Sequence, residues 1–119
     1  MSQRTRVLVL ALSLALFAVF ATAQQGAAPR QIQITVSKFS YSPSEITLKK
    51  GEPVTLALTS TDVTHGLVLK DFGVKIELKK NQTEDATITP DKVGTFQGKC
   101  SHFCGKGHGS MVLTINVVE

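Results

Sequence analysis

The chain has 119 residues, 42% of them hydrophobic and only 6% aromatic, enough for one domain with a single small core. The formal net charge is +4 and falls to +2 without Arg4 and Arg6, which sit in a segment that reads as removable. No basic run carries interleaved aromatics, so nucleic acid is excluded as a partner, and no acidic excess points to a basic one.

Residues 1–23 have the layout of an export signal. Arg4 and Arg6 precede an apolar run at 7–20, and Ala21-Thr22-Ala23 supplies small residues before a cut. A spanning helix needs about twenty apolar residues, so cleavage after Ala23 is expected. An uncleaved anchor over 7–23 is the alternative, and only then would the chain reach a membrane. Arg4-Thr5-Arg6 is not a twin-arginine pair. Export in the unfolded state follows, with any metal added outside the cytoplasm. Residues 24–30 form a short polar tether, and 31–119 make a single domain.

From residue 31 the hydrophobic period is two. Ile32, Ile34 and Val36 alternate with Gln31, Gln33 and Thr35, and Ile46 and Leu48 with Thr47 and Lys49. The turn Lys50-Gly51-Glu52-Pro53 precedes Val54, Leu56 and Leu58, which alternate with Thr55 and Thr59. Val74, Ile76 and Leu78 repeat the pattern, Lys80-Asn81-Gln82 turns the chain, and Ala86 and Ile88 follow. After Pro90-Asp91-Lys92-Val93-Gly94 a short strand is expected at 95–99. Met111, Leu113, Ile115 and Val117 share the inner face of the last strand. Short strands with one buried face each, and no helical stretch, predict an all-β antiparallel sandwich.

Between the last two strands lies Cys100-Ser101-His102-Phe103-Cys104-Gly105-Lys106-Gly107-His108-Gly109-Ser110-Met111. Soft sulfur and nitrogen donors select copper or zinc over calcium or magnesium, and the Met111 thioether favours copper. His65, in Asp62-Val63-Thr64-His65-Gly66, is the one histidine outside this segment. A zinc site built on two cysteines takes a second Cys or His pair further along, and none follows. A mononuclear blue-copper set takes one Cys, two His and a weak Met, which would leave Cys100 unused. With both thiolates used, the product is a pair of coppers bridged by two sulfurs. Cys100 shares a strand face with Phe96 and Gly98, so it points inward if Phe96 does. Three strand ends would then converge at one pole on a mostly buried site.

Simpler readings compete at each residue. Cys100 and Cys104 would form a structural disulfide in an oxidising compartment. Met111 alone reads as core, and the His102 side chain as an exposed loop residue. A thiol–disulfide oxidoreductase needs an exposed, low-pKa cysteine in a redox motif, which Cys-x-x-x-Cys without a following helix does not supply.

Cys100-x-x-x-Cys104-x-x-x-His108-x-x-Met111, preceded by Asp62-Val63-x-His65-Gly66, resembles the binuclear CuA domain of cytochrome c oxidase subunit II over residues 31–119. Phe39-x-Tyr41-x-Pro43-x-x-Ile46 and Lys50-Gly51-Glu52-Pro53-Val54 are similar to its opening strands. The resemblance implies a Greek-key cupredoxin-like sandwich. It implies that His65 and His108 each bind one copper, that Cys100 and Cys104 bridge both, and that Met111 is a weak ligand of one. The backbone carbonyl of His102 would serve the other copper. That family usually has Glu where this chain has His102, and the tryptophan through which it receives electrons has no counterpart here. The implied function is periplasmic electron transfer, with a c-type cytochrome or other redox protein as donor and an oxidase catalytic subunit as acceptor. A copper carrier that delivers metal to an oxidase would need the same ligands and is the alternative.

Overall fold

Alternating side chains can bury one face of every strand only if two sheets lie face to face. The computed structural model describes residues 28–119, and in them nine strands do this. The expected signal at 1–23 and the start of the tether lie outside the described residues. The strands are β1 (Arg30–Ser37), β2 (Ser40–Ser42), β3 (Glu45–Lys49), β4 (Val54–Ser60), β5 (His65–Leu69), β6 (Val74–Leu78), β7 (Thr83–Ile88), β8 (Gly94–Lys99) and β9 (Val112–Val118). One sheet has the order β2-β1-β4-β7 and the other β3-β9-β8-β5-β6. Two single 3-10 turns, Lys70–Phe72 and His108–Ser110, are the remaining regular elements among the described residues.

The inward residues are the ones the alternation marked. Ile34 and Val36 of β1, Leu56 and Leu58 of β4, and Leu113 and Ile115 of β9 are all buried in one cluster. In β6 the inward Val74 and Ile76 are only half-buried, because β6 is an edge strand. The sandwich is mixed rather than wholly antiparallel, since β1 pairs with β4, and β3 with β9, in parallel. Periodicity reports which face of a strand is buried and says nothing of its direction, so these two pairings left no mark in the pattern.

The alternation did not mark two strands. β2 is three residues long and hydrogen-bonds to β1 across a tight turn. β5 lies between β6 and β8 with four of its five residues buried, so alternation is lost. Leu67 and Leu69 of β5 pack against the bare backbone of Gly98 on β8. A Cβ at Gly98 would lie 2.4 Å from Leu69 Cδ2 and 2.8 Å from Leu67 Cδ1. Gly98→Ala should therefore overpack this seam and cost about 1–3 kcal/mol, read as a lower urea midpoint with an unchanged slope.

Candidate metal centre

β8 and β9 pair antiparallel up to Lys99 opposite Val112. Cys100 and Met111 are thus the first residues beyond the ladder on either side, and residues 100–111 are the connection between the strands. Inward alternation carries over at both ends: Cys100 is 7% exposed and Met111 is fully buried. The Cys100 thiol donates to the His102 carbonyl at 3.1 Å. Cys104 Sγ lies 3.5 Å from Met111 Sδ and 3.8 Å from His108 Nδ1. The His102 side chain is exposed while its carbonyl faces Cys100.

His65 arrives from the neighbouring strand. β5 meets β8 at Val68 opposite Lys99, which sets the start of β5 alongside the residues after Cys100. The ligand atoms of His65, Cys100 and Cys104 lie within 4.8 Å of one another. His65 is 0% exposed, and its Nε2–H donates to Asp62 Oδ1 at 2.7 Å. The same carboxylate accepts the backbone N–H of Lys38 and of Val63, each at 2.7 Å. Burial alone would raise the Asp62 pKa, but the Lys38 N–H, the His65 ring and the Val63 N–H together hold it below the usual carboxylate value.

A proton fixed on Nε2 leaves Nδ1 with a lone pair. Nδ1 is buried without a partner, the one such side-chain atom among the described residues. Leaving a buried polar atom unsatisfied costs on the order of 1–3 kcal/mol. A cation accepting that lone pair would remove the deficit. Beside it, burial and the neighbouring Cys100 thiol push the Cys104 thiol up, because two thiolates in one desolvated pocket repel. A soft cation suits both features, and thiolate, imidazole and thioether together suit copper.

The loop is held from below. A Cβ at Gly107 would sit 2.3 Å from the Phe39 ring and one at Gly105 would sit 3.0 Å from it, so the glycines give the room that Phe39 fills. Gly66 plays the matching part on β5, where a Cβ would come within 3.1 Å of the Ile76 carbonyl and 2.2 Å of Ser101 Oγ. The buried Tyr41 hydroxyl donates to the Gly66 carbonyl at 2.7 Å, and burial next to the two cysteines pushes its pKa up. Among the residues expected at the site, His65, Cys100 and Cys104 are grouped, Cys104 lies near His108 and Met111, and the His102 carbonyl accepts the Cys100 thiol while its side chain is exposed. Sequence reasoning assigned no role to Asp62, Tyr41 or Phe39. The available signal for Asp62 was its position three residues before His65.

Asp62→Ala should free the His65 ring to rotate or change tautomer. Copper affinity, measured by competition against a colorimetric chelator, should fall about 10–100-fold. Asp62→Asn retains an acceptor oxygen and should lose less.

The family model for a cupredoxin-like domain matches residues 9–113. The chain is 39% identical over 72 residues to a protein described as probable cytochrome c oxidase subunit 2 of Streptomyces coelicolor, covering 60% of this chain and 23% of that one. It is 35% identical over 86 residues to nitrous-oxide reductase of Pseudomonas fluorescens, covering 69% of this chain and 14% of that one. It thus spans less than a quarter of either protein. Among solved structures, the periplasmic domain of subunit II of cytochrome oxidase from Bradyrhizobium japonicum superposes with a TM-score of 0.71 at 24% identity, covering 79% of this chain and 87% of that one. With the matched segment taking in most of the sequence and the two-sheet sandwich in place, the chain belongs to the cupredoxin-like family.

Proposed function

We propose that this chain is an exported electron-transfer protein that carries a binuclear CuA-type copper centre and passes single electrons towards a terminal oxidase. The observation that supports this most is the grouping of His65, Cys100 and Cys104, with ligand atoms within 4.8 Å and a buried, unpartnered Nδ1 among them. In this reading Cys100 and Cys104, as thiolates, would hold two coppers together with His65 and His108. Met111 and the carbonyl of His102 would be the weaker ligands. When bound, copper supplies reversible one-electron chemistry.

The chain's own residues do the rest. Asp62 keeps the proton on His65 Nε2, so the other nitrogen is always the one presented. Leu67, Met111 and Leu113 belong to the buried cluster that takes in Cys100 and against which Cys104 packs, so the inner side of the site is apolar. Three strand ends and the Phe39 ring hold the donors in nearly one geometry, which suits a centre that must change charge with little rearrangement. The relatives' names support an oxidase subunit as partner and acceptor; the donor in this reading is a c-type cytochrome or another redox protein. They also support an extracytoplasmic site of action. Residues 1–23 serve as signal, 24–30 as tether and 31–119 as the working domain.

Copper analysis with electron paramagnetic resonance tests the centre. Two coppers per chain and a hyperfine pattern from two equivalent nuclei are expected. One copper with a four-line spectrum would restore the mononuclear reading, and loss of copper to an oxidase subunit on mixing would mark a copper carrier. Cys100→Ser should abolish the two-copper spectrum. Met111→Leu, a near-isosteric apolar swap, should keep both coppers and shift the reduction potential. The processing expectation has its own check: intact mass of protein recovered from the exporting host should begin at Gln24. A mass that retains residues 1–23 would mean an anchored domain.

A further inference from the structure

Total charge hides how the charges are placed. Four lysines project from the metal end. Lys38 adjoins Phe39 in the β1–β2 turn, and Lys106 lies between the two glycines that rest on that ring. Lys79 and Lys80 follow β6, whose Leu78 pairs with His65, and Lys80 also bridges to Ser60. All four are exposed, and among the described residues none lies within 4.0 Å of a carboxylate. Lys75 and Lys99 flank the same end, lining shallow depressions beside Ser101.

The carboxylates at this end are fewer. Asp62 is engaged by three N–H donors, Glu77 shares its depression with Lys75, Asp71 shares that of Lys99 with Lys70, and Glu84 lies near the start of edge strand β7. The lysine and arginine ion pairs of the described residues, Arg30 with Glu52 and Lys50 with Glu119, are at the opposite end. The metal end is therefore a basic face with unpaired charges, on a chain whose net charge is small.

An apolar centre lies within this rim. Phe103 is 74% exposed and Phe39 is 37% exposed, and the Phe103 ring sits 5.8 Å from the His108 ring. A large exposed aromatic inside a charged rim is the anatomy of a protein interface, in which the aromatic anchors and the rim selects. Unpaired lysines attract carboxylates, and like charge repels a basic partner.

We propose that the metal end is a docking surface for a protein with an acidic face, seated on Phe103 and Phe39 and oriented by Lys38, Lys79, Lys80 and Lys106. This deepens the electron-transfer reading and rests on it, since the docked partner would lie against the His108 side of the loop. It also sets the sign of the partner's charge, which composition left open.

The test is nuclear magnetic resonance on the 15N-labelled protein as isolated, reduced with ascorbate so that bound copper is diamagnetic. Oxidised flavodoxin serves as the acidic probe, and ascorbate-reduced mitochondrial cytochrome c as the basic one. Flavodoxin should shift amides in the 38–39, 79–80 and 102–107 stretches. The effect should fade between about 10 mM and about 150 mM salt, as the Debye length falls from about 30 Å to about 8 Å. Lys38→Glu with Lys106→Glu should weaken binding about tenfold at low salt, while Phe103→Ala should weaken it with the salt dependence kept. Equal or tighter binding of cytochrome c, shifts centred elsewhere, or an unchanged affinity in the double variant would overturn the proposal. Copper content measured on the same sample separates the two readings. Two coppers with no docking sinks the surface alone, and docking without two coppers sinks the centre alone.

Discussion

The hydrogen bond from His65 Nε2 to the Asp62 carboxylate joins the interior of the metal end to its surface. One side chain fixes the proton on a buried imidazole, closes the turn at Val63 and receives the amide of Lys38 from the β1–β2 turn. Phe39, the next residue, is the ring on which the glycines of the ligand loop rest. The loop, the buried histidine and both sheets therefore refer to a single carboxylate. If it were lost, the His65 nitrogens would no longer be distinguished, and the turn that seats Phe39 would lose its tie.

The metal end is less well satisfied than the core beside it. Leu and Ile side chains from both sheets fill the interior with no polar deficit, whereas Nδ1 of His65 is buried without a partner and two thiols crowd one desolvated pocket. Consistency at every level is what folds a chain, and local departures from it mark functional sites. Here the departures fall together, within 4.8 Å, and a single class of ligand answers all of them. Tyr41, hydrogen-bonded to the Gly66 carbonyl, ties β2 to the start of β5 and keeps the frame around that group closed.

Electrostatics shows how little a total reveals. Without Arg4 and Arg6 the basic and acidic residues nearly cancel, and ion pairs absorb charge at the end far from the loop. At the metal end the lysines stay exposed and unpaired around two aromatics. Which end a lysine occupies depends on strand order and register, so the asymmetry exists only in the folded chain.

Sequence by itself determined the inner face of most strands and offered the candidate donors. Alternation requires Ile34, Leu56, Leu113 and their neighbours to share a buried side, and soft donors at fixed spacing limit the metal that residues 100–111 can take. It did not reveal β5, because a central strand buried on both faces has no alternation to read, nor the parallel pairings, because the period is the same in either direction. Tertiary structure alone decided how His65 meets the loop. That meeting depends on Val68 pairing with Lys99, on Ser101 lying over the bare backbone of Gly66, and on Phe39 filling the space beneath Gly105 and Gly107. These are contacts between residues far apart in the chain, and no local pattern encodes them, because local pattern reports only how each segment divides its own surface between water and core.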